Sequence, residues 1–433
     1  MSKVAFITLG CKVNQYETNA MSQEFIEKGY EVVEHHEKAD IYVINTCTVT
    51  NMSDRKSRQM LRRVKELNPN SIVIACGCYV QVAKDEVAKI EDIDLILGNN
   101  EKKNIVEHLE QYQKDKKRQL EIEDLMQQRE FIEFGDVTYT EKTRAVVKIQ
   151  DGCDRFCSYC IIPYARGRVR SRKPEGIISE ITKIAQEGIK EVVITGIHVA
   201  SYGKDFKENY GLIDLLENLN RIEGIERIRL SSIEPLILDE QFINRLSKLE
   251  KICHNFHLSL QSGCDETLKR MNRRYNTEQF KTVVNLIRNT YKDAILTADV
   301  IVGFPGETEE EFEKTYKFLE NVKFYKTHVF KYSPRKGTKA AVMENQIDGN
   351  IKEQRSKKLI ELSNNFEKEY NESYIGKTVE VLWEEEKEGI YKGHTQNYLL
   401  AYYKPEKGDM NLENKITKAN CISAESDHII VEI

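Results

Sequence analysis

Residues 144–160 read RAVVKIQDGCDRFCSYC, a strand-like apolar run that leads directly into three cysteines spaced CxxxCxxC. Cys153, Cys157 and Cys160 thus stand just past a strand's carboxyl end, where open α/β sheets and barrels build their ligand sites. The spacing is too tight for a disulfide pair plus a spare. No fourth cysteine lies close enough to complete the tetrahedral set of a structural zinc site, so three protein ligands leave one metal position open. A zinc–thiolate site is the competing reading.

The alternation continues downstream. EVVITG from Glu191, RIRLSS from Arg227, FHLSLQ from Phe256, ILTADVIVG from Ile295 and THVFKYS from Thr327 read as strands, separated by helical patterns such as GLIDLLENLNRIEG and NTEQFKTVVNLIRNTY. Six β/α units predict an open, partial barrel over residues 139–370. Upstream, VAFITL, IYVINT, SIVIAC and IDLILG alternate with amphipathic helices, which predicts a parallel-sheet α/β domain over residues 1–115. Residues 116–138 are charged and read as a linker. Residues 371–433 change to short apolar alternations, KTVEVLWEE, NYLLAYY and HIIVEI, which predict a small all-β barrel.

Composition bounds the function. With 433 residues, 40% hydrophobic and 31% charged, the chain fits a multi-domain globular protein and excludes extended disorder. No apolar run approaches the roughly 20 residues of a membrane helix, and Met1 to Gly10 lacks the order of a signal peptide, so a cytoplasmic location is expected. Ten cysteines in such a chain point to metal or redox chemistry rather than a disulfide scaffold. Cys11, Cys47 and Cys78 each follow a strand of the first domain. They are predicted to converge on one edge of its sheet, where three thiolates together need a cation. Cys76, Cys253, Cys264 and Cys421 read as packing residues; Cys76, two residues from Cys78, is the one that could compete as third ligand.

At CxxxCxxC the chain resembles the radical S-adenosylmethionine (SAM) enzymes. Together with GCKVNQYET, NTCTVTN and GCYVQ upstream and the small β domain, it resembles the radical SAM methylthiotransferase family along nearly its whole length. CTVTNMSDRKSRQ, CSYCIIPYARGRVRSR, LSLQSGCDETLKRMNRRY and DVIVGFPGETEEEF are most similar to the branch acting on N6-threonylcarbamoyladenosine at position 37 of tRNA, beside the anticodon. The resemblance implies a TRAM-like terminal barrel and two 4Fe-4S clusters. Cys153, Cys157 and Cys160 would hold the one that binds SAM, and Cys11, Cys47 and Cys78 an auxiliary one that carries the sulfur to be transferred. One SAM would methylate that sulfur and a second would supply a 5′-deoxyadenosyl radical. The family reading also places SAM contacts at Thr195, Gly196, Ser232, Glu234, Gln261 and Gly303, with an electron donor as partner and no catalytic side chain beyond the clusters. Radical chemistry suits the target, because adenine C2 offers an inert C–H bond and no leaving group.

For the nucleic acid, Arg166, Arg168, Arg170 and Arg172 alternate at spacing two and would share one face of an extended chain, suited to the phosphates of an anticodon stem-loop. Arg55 to Lys65 and Lys269 to Arg274 extend the basic track. Against it, residues 371–433 hold seven lysines and twelve acidic residues, so a broad phosphate footprint there is not expected. Its aromatics Trp383, Tyr391, Tyr398, Tyr402 and Tyr403 are divided between core and base stacking. The competing functions are the family branches acting on isopentenyladenosine tRNA or on an aspartate of a ribosomal protein, and a non-catalytic metal-binding RNA-binding protein.

Overall fold

The computed structural model describes residues 1–138, 143–405 and 411–433. Its first domain is a six-stranded parallel sheet of β1 (Lys3–Thr8), β2 (Glu31–Val33), β3 (Ile41–Thr46), β4 (Ile72–Gly77), β5 (Leu95–Leu97) and β6 (Gln119–Glu121), in the order β2-β1-β3-β4-β5-β6. Helices α1 (Lys12–Glu27), α2 (Asn51–Leu67) and α3 (Cys78–Val82) follow β1, β3 and β4. The strand order reverses between β1 and β3, which opens a crevice at the carboxyl ends there. The four expected strands are β1, β3, β4 and β5.

The segment expected to be a linker belongs to this domain. β6 pairs in parallel with β5, and Leu125, Ile132 and Val137 are buried. Isolated apolar residues among charges anchor the segment, a pattern that no helical or strand period reveals. The boundary expected at residue 139 falls in 139–142, outside the described residues.

The second domain carries β7 (Arg144–Asp151), β8 (Arg170–Ser171), β9 (Glu191–Gly196), β10 (Arg227–Leu230), β11 (Asn255–Gln261), β12 (Ile295–Val302) and β13 (Lys326–Lys331). They form two sheets, β10-β9-β7-β8 and β11-β12-β13, joined by parallel bridges at Ile228–Ile252 and Ile233–Leu258. The six predicted strands are therefore present as one open, curved wall, with two-residue β8 antiparallel to β7 at its edge. Ala145, Val147 and Ile149 face the covering helices. On the other face, Val146 packs with Tyr16 and Ala20 of α1, so the first domain closes the concave side of the wall.

The last domain is a closed barrel, β14 (Thr378–Lys387), β15 (Ile390–Thr395), β16 (Leu400–Tyr403), β17 (Ile416–Ala424) and β18 (Ile429–Glu432), in the order β14-β15-β16-β18-β17. Trp383 and Tyr391 are core residues, packed with Ile295 and Tyr325 from the starts of β12 and β13. Arg227 Nη1 donates to the His394 carbonyl at 3.0 Å, Arg229 Nη1 to that of Gln396 at 3.1 Å, and Arg144 pairs with Glu384 at 3.0 Å. The Tyr398 ring lies 4.6 Å from the Arg229 guanidinium. All these contacts are at the amino ends of the wall's strands, so the terminal barrel sits opposite the cysteine-bearing ends. No described helix is long and apolar enough to cross a membrane.

Candidate active site

The strand ends of the first domain converge as the spacing predicts. Cys11 caps α1, Cys47 follows β3 and Cys78 begins α3. Two glycines permit the approach. Gly10 has φ +102°, and a Cβ there would stand 2.7 Å from Cys47 Sγ; Gly77 has φ +99°, with Thr46 O at 2.4 Å from the same imagined atom. Only glycine tolerates both conditions. Asn14 Nδ2 ties the ends together by donating to the carbonyls of Leu9 and Thr46, at 2.7 and 3.0 Å. Cys76 faces away, packed with Val4, Met21 and Ile74 on the opposite side of the sheet. Burial pushes the Cys47 thiol up to about 11.

In the second domain, Gly152 at φ +71° turns the chain from β7 into the cysteine loop, with Arg168 O where a Cβ would be. The turn after residue 268 clasps this loop. Ser158 N donates to the Met271 carbonyl at 3.0 Å, Ser158 Oγ to that of Arg270 at 2.6 Å, and Asn272 Nδ2 to that of Phe156 at 3.1 Å. Arg273 Nη1 reaches Cys157 Sγ at 3.3 Å. Much of the basic run Lys269 to Arg274 thus supports the cysteine loop, while Lys269 and Arg274 remain exposed.

The sulfur spacing discriminates between occupants. A single tetrahedral ion with bonds of about 2.3 Å brings its thiolates to about 3.8 Å from one another. Among the described residues only Glu34, His35 and His36, all exposed, place three ligand atoms within 4.8 Å of each other; neither cysteine trio does. As folded, neither trio holds its three sulfurs at the spacing of one tetrahedral zinc ion, and three thiolates apiece would leave one iron open in a 4Fe-4S group.

The residues expected to contact SAM divide. Thr195 and Gly196 end β9, and Gln261 ends β11 at φ +67°. Glu234 is buried, bonded to His198 Nε2 at 2.9 Å and to Arg155. Burial raises its carboxyl, yet His198, Arg155 and Arg273 hold it at about 2, so it is a carboxylate. Ser232 points to solvent, whereas its neighbour Ser231 is buried with an unpartnered Oγ. Strand alternation from Arg227 and Arg229 is the signal that picks out Ser231. Gly303 does not offer an open backbone. Its N–H donates to Glu307 Oε2 at 2.6 Å, and the Lys352 side chain occupies the space above its Cα. Sequence reasoning also missed Arg155, His198, Tyr159 and Arg273, whose positions depend on contacts remote in sequence.

The four-arginine track requires correction. Residues 162–166 are helical, and Arg166, Arg170 and Arg172 are buried. Arg166 bonds Glu17 and Asn14 and directs Nε at Cys78 Sγ, 3.1 Å away. Arg172 Nη1 donates to Glu180 at 2.8 Å; Arg170 lies 3.7 Å from Asp151. Glu17 also binds Lys102 at 2.5 Å and Lys148 at 2.7 Å, and Lys148 binds Asp151 at 2.6 Å. Four buried cations, Lys102, Lys148, Arg166 and Arg170, thus share two carboxylates behind the upstream cysteines, an excess of positive charge suited to an anionic thiolate-bound group. Only Arg168 of the four arginines reaches solvent. Arg166 and Arg172 join the first two domains, through Glu17 and Asn14 and through Tyr16 and Glu133, whereas Arg170 stays within the second, on Asp151 and the Arg166 carbonyl.

A cavity of about 230 Å³, lined by Val49, Thr50, Tyr159, Gln261, Asp299, Ile301 and Phe330, among others, lies where the loop after Cys47 meets the Cys157–Cys160 loop. One wall comes from the loop after Cys47, another from the Cys157–Cys160 loop, and the floor from β11 to β13. Arg335, just past β13, ties this floor to the first wall, bonding Asn51 Oδ1 at 2.7 Å and Asp54 at 2.7 Å.

Residues 147–319 match the radical SAM superfamily, and residues 3–98 match the uncharacterized protein family UPF0004. The threonylcarbamoyladenosine tRNA methylthiotransferase MtaB of Bacillus subtilis (strain 168) is 42% identical over 98% of this chain and 94% of its own. The tRNA-2-methylthio-N(6)-dimethylallyladenosine synthase of Clostridium botulinum (strain Hall) is 36% identical over 98% of this chain and 96% of its own. Among solved structures, the radical SAM methyltransferase TsrM of Kitasatospora setae shares the fold, with TM-score 0.56 and 15% identity over 79% of this chain and 74% of that one. Two cysteine trios at strand ends and these near-full-length relatives lead to one assignment: the chain belongs to the radical SAM methylthiotransferase family.

Proposed function

We propose that the protein methylthiolates C2 of N6-threonylcarbamoyladenosine at position 37 of tRNA, using two SAM and two 4Fe-4S clusters. The observation that supports the reading is the pair of cysteine trios at strand ends, with residues flanking Cys47 and Cys157–Cys160 lining one cavity, in a chain 42% identical to a relative named for that substrate. Cys153, Cys157 and Cys160 would hold the SAM-binding cluster; Cys11, Cys47 and Cys78 would hold the auxiliary one. When bound, these groups supply the radical that activates C2–H and the sulfur that replaces the hydrogen. The chain's own residues position the reactants and exclude water. The Glu234 carboxylate, the Ser231 hydroxyl, Thr195, Gly196 and Gln261 offer polar contacts to SAM, and Tyr159, Ile301 and Phe330 offer apolar surface to the base.

For tRNA phosphates, the exposed Arg55, Lys56, Arg62 and Arg63 of α2, with Arg168, Lys204 and Arg274, replace the buried arginines as the basic surface. An electron donor and a cytoplasmic location complete the reading. Mass analysis of tRNA nucleosides from a strain lacking the gene tests it: 2-methylthio-N6-threonylcarbamoyladenosine should vanish and its unthiolated precursor accumulate. An unchanged nucleoside profile would contradict the proposal and favour the ribosomal-protein branch.

A further inference from the structure

The inner face of β11 to β13 has two storeys of different chemistry. Ile301 stands opposite Phe330 in the strand register, and one rung nearer the amino ends Asp299 stands opposite His328. The upper rung, with Tyr159 and Val49, makes the apolar cavity. The lower rung is polar. His257 holds Asp299 through Nε2 at 3.1 Å and Thr297 Oγ1 through Nδ1 at 2.8 Å, which leaves neither ring nitrogen free. The His328 ring lies 5.4 Å from that of His257, and among the described residues it makes no hydrogen bond. Lys12, at the start of α1, likewise makes no hydrogen bond or ion pair among them. Both side chains face solvent. Burial, His257 and Lys326 push the His328 imidazole down while Asp299 pulls it up, and the Lys12 charge also opposes its protonation; Lys12 itself stands among Tyr398, Arg144, Arg229 and Glu191. His328, opposite the cavity-lining Asp299, and Lys12 are thus two solvent-facing donors with no protein acceptor. Successive rungs on one face are about 7 Å apart, the reach of a short polar arm on a base held above.

We propose that Lys12 and His328 recognise the carboxylate of the amino-acid arm on N6 of the target adenosine, while the Ile301–Phe330 rung holds the base itself. The inference rests on the proposed function and adds how the protein selects the modified base. A carboxylate satisfies both donors. An apolar arm, such as the dimethylallyl group in the name of the Clostridium relative, would strip water from Lys12, His328 and Asp299 and return no hydrogen bond. A site built around polar partners rejects an analogue lacking them far more strongly than an apolar pocket rejects a missing methylene.

The test compares anticodon stem-loops carrying threonylcarbamoyladenosine, dimethylallyladenosine or adenosine, measuring both equilibrium binding and kcat/KM with the reconstituted enzyme. The wild type should prefer the threonylcarbamoyl stem-loop. His328→Leu and Lys12→Met should each lower kcat/KM for it by roughly 10–100-fold, mainly through KM, and shrink the preference over the other two. His328→Gln, which keeps a donor, should recover part of the loss. Iron content of each variant separates a misfolded protein from a selectivity change. Unchanged preference in both variants would overturn the inference while leaving the function standing, as would a rise in KM for SAM in place of lost selectivity. A wild type that prefers the dimethylallyl stem-loop would overturn the function itself.

Discussion

Replacing Gly10 with alanine should remove one cluster and spare the other. The new methyl would stand 2.7 Å from Cys47 Sγ and 2.8 Å from its Cβ, where ordinary contact begins at 3.4 Å. The thiol must therefore retreat by about 0.7 Å, several times the roughly 0.2 Å that metal–ligand distances tolerate. Alanine at φ +102° adds a backbone cost of about 1–3 kcal/mol. That cost is controlled by Gly29→Ala, a position at φ +85° with nothing within 4 Å. After anaerobic reconstitution with iron and sulfide, wild type and Gly29→Ala should hold about eight iron per chain and Gly10→Ala about four. The electronic spectrum should keep the features of the cluster at Cys153, Cys157 and Cys160. A Gly10→Ala protein that retains about eight iron would refute the claim that Cys47 is held as a ligand against this glycine.

Two further outcomes concern stability. Glu17→Gln removes the carboxylate shared by buried Lys102, Lys148 and Arg166. It should cost about 3–5 kcal/mol, read as a lower urea midpoint; an unchanged midpoint would show that the cations are satisfied without it. Glu24 behaves oppositely, because burial and Glu107 raise its carboxyl to about 7. A raised carboxyl favours the folded state when protonated, and that advantage is lost as pH climbs from about 4.5 through 7. Glu24→Gln should therefore match wild type near pH 4.5 and exceed it by about 1–2 kcal/mol above pH 7, a figure reduced for partial solvent screening. A gain that is the same at both pH values would contradict the assignment.

Much of the architecture was legible because the strong signals were local. The six wall strands are runs of apolar and β-branched residues, and each upstream cysteine directly follows such a run. Position after the strand favours Cys78 over Cys76, and the structure shows why they part: Cys76 lies in the core beside Ile74, while Gly77 at φ +99° ends β4 and turns Cys78 into the start of α3. β2 and β6 escaped notice because three-residue edge strands lack room for a period. The arginines from 166 to 172 show the opposite limit. Spacing can say which side chains share a face, but not whether water or a neighbouring domain covers it. Their carboxylate partners are as distant as Glu17 and as near as Asp151, Asp154 and Glu180. The same holds for the polar group of His257, Asp299 and His328, where His257 reaches diagonally from opposite Thr297 to Asp299 and Asp299 faces His328 only once three strands are aligned.

Two thiol trios are proposed to work together on one modified base. The most direct test supplies purified, reconstituted enzyme with SAM, a reductant and tRNA bearing threonylcarbamoyladenosine, followed by mass analysis of the nucleosides. The wild type should yield a nucleoside heavier by one methylthio group in place of one hydrogen, and the product should be lost completely when either Cys11, Cys47 and Cys78 or Cys153, Cys157 and Cys160 are replaced by alanine. Methylthiolation that persists without the upstream trio, or a nucleoside left unchanged by the wild type, would contradict that joint role.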